Sequence, residues 1–395
     1  MLDALSLTTS LAILLFAGVV LSWIAQKIRL PDMLLLLLGG LGLAQINLNG
    51  TTLFSTPPLF LSSLAIISLA LIIFDSTARL RLRELDTFSN KALKVTILTI
   101  AFILVFFTAA AHAFLALPLW SCLLLAALLT GTSAEAVLTN SQKSHIWSIL
   151  KYESIFNTPF TVVLPFIVLD LARTTTGTNI LQQLTPLLTA IVVGIGAGIF
   201  IGLILFKLVQ HTNSKTLYSP LAVIIAALLS YVLAENLGGS GVLAVSALGL
   251  FFGNAYSEHK IGLLSAETVL AKALYILLFL LIGIVIKVPL TIEFILTSIL
   301  LFIAYTLIRF AAIWLVLHNQ HTTTELATMA LIAPKGVATA AVVFSLLALG
   351  IPTITPLIEV TFAFIIYSII VTSITEFVMP TTQNRKQKYT TLQKV

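Results

Sequence analysis

Apolar, uncharged runs of about 18 residues or more recur along the whole chain, as in Leu7 to Ile24, Ile97 to Leu117 and Leu187 to Phe206. A run of that length is what one helix needs to cross hydrocarbon. Between the runs there is no polar half able to form a separate water-soluble domain. The composition agrees: 59% of the 395 residues are hydrophobic and 9% charged, with a mean hydropathy of +1.10, which is incompatible with a wettable surface. The reading is an all-α polytopic protein whose solvent and first partner is the lipid bilayer: one membrane domain over residues 1–380, then a short basic tail over 381–395.

With Gly, Pro and charged clusters as boundaries, roughly thirteen spans are expected. The fifth lies near 118–140, the sixth near 149–171, the twelfth near 324–349 and the last near 355–379. The stretch 253–271, with Glu258, His259 and Lys260, reads as an amphipathic surface helix joining two halves. An odd number of spans puts the termini on opposite sides. Seventeen of the 21 Lys and Arg residues fall in the tail or around the loops after odd-numbered spans, against Arg173 and Lys287 on the other side. Positive charge is retained in the cytoplasm, so the N-terminus is expected outside and the C-terminus inside, in a prokaryotic plasma membrane. The same argument explains the formal charge of +6 without a nucleic-acid partner. Cys122 is the single cysteine, so no disulfide within the chain is available.

The remaining basic residues, Arg309 and Lys335, lie inside spans. Ionisable groups in hydrocarbon are costly and default to functional candidates. The acids that join them are Asp75, Glu135, Glu153, Asp170 and Glu359. An interfacial position accounts for Asp170 and Glu359, and competes with an accessory role for Asp75. Glu153 and Asn157 share a helical face with Phe160 less well aligned, which suits either a coordinating pair or an entry-turn acid with Asn157 bound to a neighbouring helix.

Two spans are interrupted. In the fifth, Leu129-Thr130-Gly131-Thr132-Ser133-Ala134-Glu135 places small and hydroxylated residues, then an acid, in a Leu-rich helix; close packing would use them, and so would unwinding that frees carbonyls to bind a cation. In the twelfth, Ala333-Pro334-Lys335-Gly336 removes a backbone donor, loosens the chain and supplies a charge. Paired interruptions about seven spans apart point to a transporter of inverted repeats with two discontinuous crossed helices. At such a crossing Lys335 and Glu135 would each offset a half-helix end. No internal repeat is visible in the residues.

The chain resembles the sodium/hydrogen exchanger transmembrane domain of the monovalent cation:proton antiporter superfamily, in its thirteen-span form. The similarity is carried by Leu30-Pro31-Asp32 with Gly39-Gly40, Phe74-Asp75, Leu237-Gly238-Gly239-Ser240-Gly241, Ile282-Gly283, Arg309 and Pro334-Lys335-Gly336, in order along the chain. The resemblance implies exchange of Na⁺ or K⁺ for protons by alternating access, a homodimer, and an ion pair between Glu153 and Arg309. The sequence departs from the family at its centre. Where members carry Thr-Asp-Pro it has Thr132-Ser133-Ala134, and where they carry Asn-Asp or Asp-Asp after the sixth-span Glu it has Asn157-Thr158. With Glu153 assigned to Arg309, Glu135 becomes the expected proton and cation group, helped by oxygens of Thr132, Ser133, Asn157 and Thr158. The alternatives are a transporter of the same fold for an organic or anionic solute, or a homologue without transport. No nucleophile triad, phosphate loop or metal-ligand cluster appears, so neither enzymatic activity nor a cofactor is expected.

Overall fold

Helices make up nearly all of what the computed structural model describes, namely residues 2–28, 30–45, 47–48, 51–52, 58–78, 87–133, 145–174, 180–211, 218–255, 260–286, 289 and 291–392. In chain order they are α1 (Leu2–Ile28), α2 (Asp32–Ala44), α3 (Pro58–Ala78), α4 (Thr87–Phe102), a π turn at Ile103–Phe107, α5 (Thr108–Leu115), α6 (Leu119–Leu128), α7 (His145–Thr174), α8 (Ile180–His211), α9 (Tyr218–Asn236), α10 (Gly241–Ala255), α11 (Lys260–Val285), α12 (Ile292–Leu317), α13 (Thr323–Leu331), α14 (Val337–Ala348) and α15 (Thr355–Leu392). A two-residue antiparallel pair, Asn47–Leu48 with Thr51–Thr52, is the β-structure among the described residues. Among the described residues, six helical segments are long and apolar enough to cross a membrane: Thr8–Ile28, Asn90–Leu115, Ile146–Leu169, Leu188–Lys207, Ile292–Leu317 and Thr355–Thr375. Counting α4 with α5 and α13 with α14 as single crossings, the described helices make thirteen.

Local chemistry sets the helix ends. Ala116 turns left-handed at φ 52°, ending α5, and Pro118 then starts α6 because it can open a helix but not continue one. Gly238, at φ 75°, lets the chain reverse between α9 and α10, and the Glu235 carboxylate accepts the Gly241 N–H at 2.8 Å. The Thr322 hydroxyl accepts the Glu325 N–H while Glu325 accepts the Thr322 N–H, a reciprocal cap on α13. The stretch 253–271 differs from its sequence reading: from Lys260 onward it is the start of α11, continuous through the tenth span. A helix already leading into the bilayer needs no separate surface element. Helix α15 likewise runs on through Pro380 into the basic tail.

The helices form two associated groups. In one, α1, α2 and α8–α11 pack together, and Gly40 and Gly283 bring α2 and α11 so close that a Cβ on either would lie 2.9 Å from the other's Cα. In the other, α4 packs on α7 and α12 on α15; α6 packs on α7 and α13 and α14 on α15; and α4 packs on α12. The second group is therefore one three-span arrangement used twice. Its copies are seven crossings apart, an odd number, so they traverse the bilayer in opposite senses. Helix α3 lies along the seam, against α10 and α11 on one side and α7 and α14 on the other. Phe16, Val105, Val192 and Leu307 are more than half exposed, as lipid-facing residues are; the buried core includes Phe74, Phe107, Phe279, Phe344 and Phe364.

Candidate functional site

Helix α6 stops in mid-protein. Leu129 N–H still bonds back to Leu125 and Ala126, and Thr130 N–H to Ala127, but Ser133 N–H, which in a continued helix would reach Leu129, donates instead to the Pro334 carbonyl at 2.7 Å. Three successive carbonyls are then completed by side chains. Asn157 Nδ2 of α7 donates to Thr130 O at 2.6 Å, and Lys335 Nζ donates to Leu129 O at 2.6 Å and Gly131 O at 2.7 Å. Leaving such groups unpaired inside the bilayer costs several kcal/mol each, so the break persists only because α7 and the opposite span reach across it.

The opposite span is broken between α13 and α14, at 332–336, where Pro334 and Gly336 interrupt the ladder. Gly336 abuts Ser133, and a Cβ there would collide with the Ser133 side chain, so the two interruptions touch directly. Lys335 is anchored at its backbone, whose N–H donates to Ser368 Oγ of α15 at 2.9 Å. Its ammonium also donates to the Tyr305 hydroxyl of α12 and lies 4.2 Å from the centre of that ring, a cation–π distance. Tyr305 is held edge-on by Phe107, 6.0 Å between centroids, and by Phe364, 5.8 Å. Phe107 closes the π turn, a distortion that recurs at functional positions in helices.

One helical turn beyond Tyr305, Arg309 meets Glu153 of α7 at two points, Nη1 to Oε1 at 2.7 Å and Nη2 to Oε2 at 2.9 Å. Both side chains are fully buried. The Nη2 contact is a charge-assisted hydrogen bond and the Nη1 contact an ion pair without hydrogen-bond alignment, and together they balance the charges of both groups locally. Glu153 and Asn157, on one face of α7, thus have different partners: the acid takes Arg309, the amide takes the break. Phe160 leaves that face, being 42% exposed. Asn157 Oδ1 and Thr132 Oγ1 are buried oxygens with no bonding partner among the described residues. Thr158 donates to Ser154 O at 2.7 Å, and Ser133 and Thr158 are both at least nine-tenths buried. Asp75 is half-buried on α3 at the seam. Glu135 lies outside the described residues, as does the side chain of Asp170; Glu359 is partly buried near the start of α15.

The family model for the sodium/hydrogen exchanger transmembrane domain matches residues 11–379. The chain belongs to this family. Among similar sequences, the low-affinity Na⁺/H⁺ antiporter NhaS1 of Synechocystis is 27% identical over 57% of this chain and 42% of its own length. The K⁺/H⁺ antiporter NhaP of Alkalimonas amylolytica is 26% identical over 72% of this chain and 50% of its own. The chain therefore spans about half the length of these relatives. The fold matches the sodium proton antiporter MjNhaP1 of Methanocaldococcus jannaschii with a TM-score of 0.78, covering 94% of this chain and 96% of that one at 22% identity.

For a member of the exchanger family, the described crossing is poor in acids: its charged groups are Glu153, Arg309 and Lys335, and Glu153 is engaged by Arg309. Sequence reasoning singled out all three. It missed Tyr305, whose signal was its place four residues before Arg309 on an apolar helix, and Ser368. The carbonyls of Leu129 and Gly131 it foresaw only as a class.

Proposed function

We propose that this protein is a secondary transporter exchanging a monovalent cation, Na⁺ or K⁺, for protons by alternating access. The observation that carries the reading is the crossing of two interrupted helices, joined by the Ser133 to Pro334 hydrogen bond, with unpartnered buried oxygens on Thr132 and Asn157 beside it. Oxygen donors that are buried and unpaired suit a small dehydrated cation better than any apolar solute. The antiporter names of the relatives support the same reading.

In this reading Glu135 is the group that alternately holds a proton and the cation, with Thr132, Ser133, Asn157 and Thr158 supplying neutral oxygens. Glu153 and Arg309 are a structural pair, Lys335 compensates the carbonyl end of α6, and Asp75 is an accessory acid at the seam. The domain occupies residues 1–380, residues 381–395 form a basic cytoplasmic tail, the N-terminus faces outward across a prokaryotic plasma membrane, and the protein works as a homodimer. A second reading, transport of an organic or anionic solute, draws on the net positive charge of the described crossing. Against it, the Lys335 ammonium already donates to three oxygens and has none left for an anion.

The test is proton flux in proteoliposomes on adding Na⁺, K⁺ or Li⁺. At least one cation is expected to dissipate an imposed pH gradient, and Glu135→Gln to abolish that response. If no cation does so, exchange is wrong; if Glu135→Gln is as active as the parent, the assignment of the titrating group is wrong.

A further inference from the structure

The Lys335 ammonium is held in an unusual way. It is fully buried, yet the groups that receive its three N–H bonds are neutral: Leu129 O at 2.6 Å, Gly131 O at 2.7 Å and the Tyr305 hydroxyl. The Tyr305 ring face adds its quadrupole at 4.2 Å. The carboxylate of Glu153 is spoken for by Arg309. The Leu129 carbonyl is left to face the ammonium for a reason in the backbone itself: Ser133 N–H, its helical partner, is turned away to Pro334 O. The negative end of α6 therefore converges with a tyrosine hydroxyl on one point, and an ammonium nitrogen sits there.

We propose that these oxygens form a binding site for a small cation with N–H donors, and that Lys335 is its built-in occupant, a primary ammonium ion tethered to the break between α13 and α14. The oxygens come from the break after α6 and from α12, segments other than the one that carries Lys335, and without the lysine side chain that break is still braced by the Asn157 amide on Thr130 O and by the Ser133 N–H on Pro334 O. Methylammonium reproduces the last carbon and nitrogen of the lysine side chain and is the natural probe. In the native chain the site is already filled, so a free cation reaches these three oxygens only if the Lys335 ammonium leaves them. The inference stands on this geometry and does not depend on which group carries the transported proton.

The experiment is thermal unfolding of the full-length protein in detergent. Lys335→Ala is expected to melt well below the parent, and methylammonium chloride to raise its midpoint progressively with the logarithm of concentration, as a ligand specific for the folded state does. Tetramethylammonium chloride, equal in charge but without an N–H, is expected to leave it unmoved, and the parent is expected to ignore both salts. Adding Tyr305→Phe to Lys335→Ala removes one of the three acceptors and is expected to shift the methylammonium dependence to higher concentration. Equal responses of Lys335→Ala to the two salts overturn the proposal. If Lys335→Ala does not survive purification, it is purified throughout in each salt: folded protein recovered only in methylammonium supports the site, and recovery in neither or in both equally overturns it.

Discussion

The two interrupted spans do the same thing to the backbone by different means. The α13–α14 break is written in residues that cannot continue a helix: Pro334 lacks an N–H and Gly336 leaves room for Ser133. The break after α6 has no proline at all. Leu129 to Ser133 is permissive rather than prohibitive, and what holds it open is the bonding offered from outside, by Asn157, Lys335 and Pro334. One break is therefore autonomous and supplies a cation; the other is conditional and supplies carbonyls. In a bilayer, where water cannot complete a broken ladder, the second depends on the first.

That dependence can be broken at several strengths. The largest effect is expected away from both breaks, at the pair that neither supplies: Arg309→Ala strands a buried Glu153 and should cost about 3–5 kcal/mol in denaturant or thermal unfolding, whereas Arg309→Met with Glu153→Leu should recover most of it. Next is contact between the breaks. Gly336→Ala drives a methyl into Ser133 and should cost about 1–3 kcal/mol; Ser133→Gly should be relieving in that background and not alone, so a double-mutant cycle that is simply additive would refute the contact. Asn157→Ala leaves the Thr130 carbonyl unpaired, for about 1–3 kcal/mol; Asn157→Gln, whose amide is displaced by one carbon, should not restore it. The smallest effect is at the autonomous break's outer end. Thr322→Ala removes the α13 cap at a cost of about 1 kcal/mol and should leave cation-driven proton flux at its parental rate, which separates general loss of stability from loss of the crossing.

Much of the architecture was readable from residues because lipid enforces it. Run length sets the spans, Gly and Pro mark their ends, and an ionisable residue in an apolar run announces itself. Arg309, Lys335 and Glu153 were found this way, and the family resemblance supplied the pairing of Arg309 with Glu153, which the 2.7 and 2.9 Å contacts display. The π turn before Thr108 carried no comparable signal, since Ile103-Leu104-Val105-Phe106-Phe107 reads as ordinary helix. Nor did Tyr305, because a tyrosine in a span is usually just an aromatic residue until something charged lies against it. The stretch after Gly253 misled for a similar reason: Lys260 looks interfacial, and whether it belongs to a separate helix or opens α11 depends on where the next helix packs, while Glu258 and His259 lie outside the described residues.

By itself the sequence determined that this chain is a bundle of membrane helices with two weak points, because the energy of moving polar groups into hydrocarbon depends on residue type and run length alone. Only the tertiary structure decided what the weak points do to each other. Lys335 and Leu129 are 206 residues apart, and Arg309 and Glu153 are 156 apart. Which carbonyl a lysine completes, and which arginine an acid meets, follows from the packing of helices whose facing surfaces are equally apolar and equally silent in the sequence.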